Sequence, residues 1–150
     1  MQSAHGLSTL QVLHTSSTQE TSEWAEQFAR EFVAPLTVAL IGQLGAGKTV
    51  IAKGIGRALG VREPVISPSF NYVLEYEGRV PLFHADLYRI EDALTFRAMG
   101  LEEYFDLKGI FVIEWAERVR DLLPDDTVWI EFTTGEHPDE RQIQIRRGHS

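Results

Sequence analysis

The run Gly42-Gln43-Leu44-Gly45-Ala46-Gly47-Lys48-Thr49 constrains this chain more than any other segment. It fits G-x-x-x-x-G-K-[ST]. The apolar run Thr37 to Ile41 precedes it without alternation, which suits a strand covered on both faces of a parallel sheet. Lys48 to Leu59 follows and reads as a helix, with Gly60 suited to its C-terminal cap. Glycines let a backbone approach an anion with no Cβ in the way. Successive N–H groups then form an anion nest, and the helix adds its positive N-terminal end. The expected cradle is Gly42, Gln43, Leu44, Gly45, Ala46, Gly47, Lys48, Thr49 and Val50, holding the phosphates of ATP or GTP with magnesium. Lys48 is expected to reach the β and γ phosphates, and the Thr49 hydroxyl to ligate Mg. A plain Gly-rich turn would leave the Lys-Thr pair unexplained. The dinucleotide fingerprint G-x-G-x-x-G is absent.

The rest of the chain supplies an α/β frame. Ser17 with Glu20 reads as a capping box, and Trp24, Ala25, Phe28, Ala29 and Phe32 mark one face of the helix behind it. Asn71 to Tyr76 and Val80 to Ala85 read as strands around a turn at Glu77-Gly78, and Ile110 to Ile113 as a buried strand. Helices are expected at Asp92 to Met99, Leu101 to Phe105 and Ala116 to Leu122, and late strands at Thr127 to Phe132 and Gln142 to Ile145. The expectation is a three-layer P-loop NTPase domain, with a mainly parallel sheet and late antiparallel strands. Residues 1–150 are read as one such domain, with residues 1–16 loosely ordered apart from a short strand at Leu10 to Leu13.

Composition excludes several other classes. The chain has no cysteine, hence no disulfide framework, thiolate metal site or cysteine nucleophile. No stretch reaches the roughly 20 apolar residues of a spanning helix. Met1 to Ser17 lacks the basic start and apolar run of a secretory signal. A cytoplasmic location without membrane contact is therefore expected. The formal net charge of −8 argues against broad nucleic-acid binding by this chain itself.

Phosphate chemistry needs carboxylates near the loop, and two strand ends offer them. Glu114 follows Ile110-Phe111-Val112-Ile113, and Asp86 follows Val80-Pro81-Leu82-Phe83-His84-Ala85. With Lys48 they form the expected catalytic set; with Thr49 they form the expected magnesium set. A zinc site on His84 and Asp86 lacks further clustered His or Cys. Ser67 and Ser69, around Pro68, offer hydroxyls for a switch that senses a terminal phosphate, or else form an ordinary Ser-Pro turn. Trp115 reads as core packing or a lid near the nucleotide. Arg89 reads as a surface cation or an arginine finger supplied by the chain itself.

Together these segments resemble the TsaE (YjeE) family. The resemblance rests on Gly42 to Thr49, Lys53-Gly54, Ser67-Pro68-Ser69-Phe70 and His84-Ala85-Asp86-Leu87-Tyr88-Arg89. It continues through Met99-Gly100-Leu101-Glu102-Glu103-Tyr104-Phe105 and Ile113-Glu114-Trp115-Ala116-Glu117-Arg118. This chain has Gln43, Val50, Ser69 and Ala116 where the family usually has Asp, Thr, Thr and Pro. The resemblance implies a weak bacterial ATPase of tRNA threonylcarbamoyladenosine synthesis, stimulated by partners. Those partners would be the sugar-kinase-like subunits of the threonylcarbamoyl transferase, and hydrolysis would reset the complex between rounds. Contact with tRNA would be indirect. By the same resemblance Thr49 and Glu114 hold Mg, while Asp86 holds metal or orients water.

Two other readings share the P-loop. A small-molecule kinase would need an acceptor pocket and usually an Arg-bearing lid, and no lid insertion is evident. A nucleotide-dependent binding module would take up ATP without significant hydrolysis.

Overall fold

The computed structural model describes residues 10–42, 47–66, 68 and 72–148. Gln43, Leu44, Gly45 and Ala46 of the Gly-rich run lie outside these residues, as do Ser67, Ser69 and Phe70. One sheet is built from β1 (Leu10–Thr15), β2 (Leu36–Gly42), β3 (Val73–Tyr76), β4 (Leu82–Asp86), β5 (Ile110–Glu114), β6 (Val128–Thr134) and β7 (Arg141–Arg147). Its strand order is β1-β7-β6-β2-β5-β4-β3. β2 pairs in parallel with β5 and β6, and β4 in parallel with β5. The remaining pairings, β3 with β4, β6 with β7 and β1 with β7, are antiparallel. Of the two late strands, then, β6 runs with the parallel set and only β7 runs against it.

The central strands lack alternation because both faces are covered. Val38, Ala39 and Leu40 of β2 and Val112 and Ile113 of β5 are fully buried. On one face α1 (Thr18–Ala29) and α2 (Lys48–Ala58) pack over Val38, Leu40, Val112, Ile130 and Phe132. On the other, α3 (Ala93–Ala98) and the 3₁₀ segments Leu101–Asp106 and Ala116–Leu122 cover Ala39, Phe83, Phe111, Ile113 and Trp129. The expected helix at Ala116 to Leu122 is thus 3₁₀, with a non-helical break at Val119 (φ −128°, ψ 28°). Ala116 and Val119, three residues apart and so on one side of a 3₁₀ turn, are both buried.

Local chemistry sets the helix bounds. Ser17 Oγ accepts the Glu20 N–H at 3.0 Å, and Glu20 Oε1 accepts the Ser16 N–H at 3.1 Å. These contacts satisfy orphan donors at the start of α1. Gly54 lies where α2 crosses α1: a Cβ built on it would fall 2.7 Å from Ala25 Cβ and 2.7 Å from Ser22 O. The two helices reach that separation only because this position has no side chain.

Leu10–Thr15 is an ordered edge strand where sequence reading expects loose chain with a strand ending at Leu13. The reason is pairing: β7 offers a second edge, and Leu13 and Thr15 stand opposite Ile143 and Arg141. Thr15 is buried, and its hydroxyl lies 2.6 Å from that of Thr21 on α1. Among the described residues no helix is long and apolar enough to cross a membrane.

Candidate phosphate site

The chemistry-bearing residues gather at the carboxyl ends of the parallel strands, the usual ligand end of an open α/β sheet. Gly42 closes β2, and a Cβ there would meet the Phe132 ring and carbonyl oxygen at 3.0 Å. Gly47 caps α2 with φ +106°, a conformation that L side chains rarely adopt. α2 therefore starts with Lys48, its N–H groups aimed at the ligand end.

Lys48 is 5% exposed. Its Nζ donates to Gly42 O at 3.0 Å and stands 3.7 Å from the Trp115 ring centroid. Burial holds the ammonium below its ordinary pKa; Glu114 above all, then Glu117 and Asp86, push it back up, and Arg118 lowers it. The lysine is thus a desolvated cation facing three carboxylates, with a single hydrogen bond among the described residues. A buried cation of this kind gains from an anionic partner.

The carboxylates come from adjacent strands. Asp86 and Glu114 are direct register partners on β4 and β5, and Glu114 also stands opposite Leu40 of β2. By strand alternation both project from the α1–α2 face, the face above which Lys48 opens its helix. Glu114 is buried, and its Oε2 lies 2.6 Å from Nε2 of the fully buried His84. Asp86 is half-buried, and its Oδ1 accepts the Tyr88 N–H at 3.0 Å.

Trp115 follows Glu114 with φ 61° and ψ 35°, left-handed backbone that costs a non-glycine residue about 1–2 kcal/mol. Strain of this kind clusters at functional sites. The surroundings fix it: Lys48 sits over the ring, Arg118 Cζ is 4.9 Å from its centroid, and the Tyr88 ring is 5.3 Å away. The indole therefore touches Lys48 as well as packing against Tyr88 and Arg118. Arg118 Nη1 also donates to Leu87 O at 3.1 Å and Ile90 O at 3.2 Å, which braces the turn after Asp86.

The structure thus brings Gly42, Gly47, Lys48, Asp86, Glu114 and Trp115 together. Thr49 and Val50 are half-buried in the first turn of α2. Arg89 is exposed on the turn after β4. The expected contacts of Gln43, Leu44, Gly45 and Ala46, and the switch roles of Ser67 and Ser69, lie outside the described residues. Sequence reading gave no role to Glu117, Arg118 or Arg141. Glu117 Oε1 is buried with no hydrogen-bond partner among the described residues. Arg141 opens β7 opposite Thr134 and Thr15, and a Cβ on Gly47 would fall 3.7 Å from its Nε. Its Nη1 donates to Pro138 O and Glu140 O at 2.6 and 2.8 Å. No local pattern marks a strand-initial arginine as a neighbour of a loop so far away in sequence.

The donor set fits a magnesium–triphosphate rather than a protein-caged metal. Among the described residues no group of three or more His, Asp or Glu is arranged to hold a metal ion. Asp86, Glu114 and the Thr49 hydroxyl are hard oxygen donors beside a buried lysine and a glycine-capped helix start. Magnesium is commonly held in this way, by one or two carboxylates together with substrate phosphates and waters.

Comparison with known proteins gives the family. The sequence profile of the family "Threonylcarbamoyl adenosine biosynthesis protein TsaE" matches residues 15–143. The tRNA threonylcarbamoyladenosine biosynthesis protein TsaE of Treponema pallidum is 40% identical over 116 residues, 77% of this chain and 86% of the relative. That of Bacillus subtilis is 39% identical over 131 residues, 86% of this chain and 80% of the relative. That of Nostoc is 45% identical over 113 residues, 72% of this chain and 68% of the relative. A crystal structure of Bacillus subtilis YdiB superposes with a TM-score of 0.78 at 30% identity, covering 95% of this chain and 88% of that one. On the profile match and the identities together, the chain belongs to the TsaE family.

Proposed function

We propose that this chain binds ATP with magnesium and hydrolyses it slowly, as the accessory ATPase of a tRNA threonylcarbamoyladenosine complex in the cytoplasm. The observation that carries the reading is the pairing of Asp86 with Glu114 across β4 and β5, on the face where Lys48 opens α2. Lys48 moves from Gly42 O and the Trp115 ring to the β and γ phosphates. Thr49 and Glu114 would hold the metal, and Asp86 would orient the attacking water or share the metal. Magnesium, when bound, neutralises charge that develops on the phosphate oxygens. The water oxygen bonds to the γ phosphorus as the β–γ bridging bond breaks. ADP takes the bridging oxygen with its electron pair, and the water's proton leaves with inorganic phosphate or solvent.

Positioning and charge stabilisation do the catalysis, and a lone small domain supplies them incompletely. Turnover by the isolated chain is therefore slow, and partners raise it. By the family relation those partners are the sugar-kinase-like subunits of the threonylcarbamoyl transferase, which hydrolysis resets between rounds. The tRNA meets those subunits rather than this acidic chain. The test is ADP release and nucleotide binding by Lys48→Ala, Asp86→Ala and Glu114→Ala. Lys48→Ala is expected to lose binding; the carboxylate variants are expected to bind yet lose turnover. Unchanged turnover in both carboxylate variants refutes the assignment.

A further inference from the structure

Lys48 and Glu114 pose an electrostatic problem. They are opposite charges in a poorly solvated site, and Glu114 is the strongest charge acting on Lys48. At low effective dielectric such a pair attracts strongly. Direct contact would occupy the ammonium meant for phosphate and the carboxylate meant for metal. Yet the ion pairs among the described residues include none between these two groups.

The restraint on Glu114 is His84. It stands on β4, two residues before Asp86, and is fully buried. Its Nε2 lies 2.6 Å from Glu114 Oε2. An ionised Glu114 only accepts, so this contact is a hydrogen bond when Nε2 carries the proton. The other ring nitrogen, Nδ1, is buried with no hydrogen-bond partner among the described residues, where this imidazole's one polar contact is Glu114. Lys48 is restrained from its own side by Gly42 O and the Trp115 ring.

We propose that His84 is a positioning residue that holds Glu114 apart from Lys48, keeping the lysine available to phosphate and the outer carboxylate oxygen available to metal. The proposal rests on the nucleotide reading above. Its grounds are the 2.6 Å contact, the burial of both partners and the lack of a Lys48–Glu114 ion pair among the described residues. Removal of the donor lets the carboxylate swing to Lys48, and the resulting ion pair competes with the ligand.

A double-mutant cycle tests this, with affinity for a non-hydrolysable ATP analogue plus Mg2+ measured by calorimetry. His84→Leu is expected to weaken binding about tenfold, the scale of a buried hydrogen bond to a charged group. His84→Gln, whose amide can reach the carboxylate, is expected to restore most of it. In a Glu114→Gln background, where the carboxylate that His84 restrains is gone, His84→Leu is expected to change affinity little. A merely structural histidine would lower affinity equally in both backgrounds, and that result overturns the proposal. So does unchanged affinity in His84→Leu. If His84→Leu fails to fold, the imidazole 15N spectrum of the wild-type protein decides: a proton on Nε2 supports the proposal, and a proton on Nδ1 alone overturns it. Failure of the wild-type chain to take up the analogue at all would instead remove the nucleotide reading, and this proposal with it.

Discussion

Gly54→Ala sets two effects of opposite sign against each other on the helix that carries Lys48. Helix propensity alone favours alanine over glycine by about 1 kcal/mol. Packing opposes it. The new methyl would sit 2.7 Å from Ala25 Cβ and from Ser22 O, and 3.2 Å from Glu26 N. Carbon atoms pack best at about 3.5–4.0 Å, so α2 would have to move by about 1 Å. Overpacking of this kind costs about 1–3 kcal/mol. Here the obstacles are backbone atoms and the single methyl of Ala25, none of which can rotate away. That places the cost near the upper end and leaves a net loss of about 2 kcal/mol. For a domain of this size the melting temperature is expected to fall by about 4–8 °C.

Thermal unfolding followed by circular dichroism measures the change. Ala25→Gly in the same chain removes one of the two closest obstacles and is expected to recover part of it, since residues in contact do not add. A melting temperature equal to or above the wild type refutes the close-approach argument, because propensity would then have won. The displaced α2 also carries Lys48 and Thr49, so nucleotide affinity is expected to drop with stability.

Two further outcomes are expected. With Trp24 and Trp129 replaced by Phe, the emission of Trp115 should change when a non-hydrolysable ATP analogue with Mg2+ is added, because Lys48 leaves a ring now 3.7 Å away; Lys48→Met should abolish the response, and a silent Trp115 at saturation would mean that the lysine stays on the indole. Arg141→Met should lower ATP affinity about tenfold with little change in melting temperature, since a guanidinium beside Gly47 is placed for phosphate; unchanged affinity by calorimetry would confine Arg141 to bracing the β6–β7 turn.

Local signals made some of this site legible and hid the rest. The buried run of β2, the glycine break and the helix from Lys48 were readable because each element depends on its own neighbours in sequence. Asp86 and Glu114 could be nominated for a similar reason, as carboxylates at the ends of apolar strands. That they are direct register partners depends on β5 lying between β2 and β4, which periodicity does not encode. The same holds for His84 against Glu114 and for Arg118 against the Leu87–Ile90 turn, contacts between residues about thirty positions apart. The left-handed backbone of Trp115 had no cue at all, since neither Gly nor Asn stands there. Leu10–Thr15 carries a weak sequence signal because an edge strand with largely exposed residues shows little alternation, and its order comes from β7.

Strand order also gives the site a polarity. β2 delivers the glycine run at the middle of the sheet, with β5 and β4 on one flank and β6 and β7 on the other. The first flank carries Glu114 and Asp86; the second carries Arg141 beside Gly47. A polyanion lying above β2 would therefore meet carboxylates on one side and a guanidinium on the other. Carboxylates repel phosphate unless a cation stands between them, so a divalent ion bound with such a polyanion would belong on the β5–β4 flank. No cation is needed on the β7 flank, where the protein supplies its own positive charge. Exchange of the two signs, as in Arg141→Glu, should therefore cost more affinity than Arg141→Met, and high salt should narrow the gap between them.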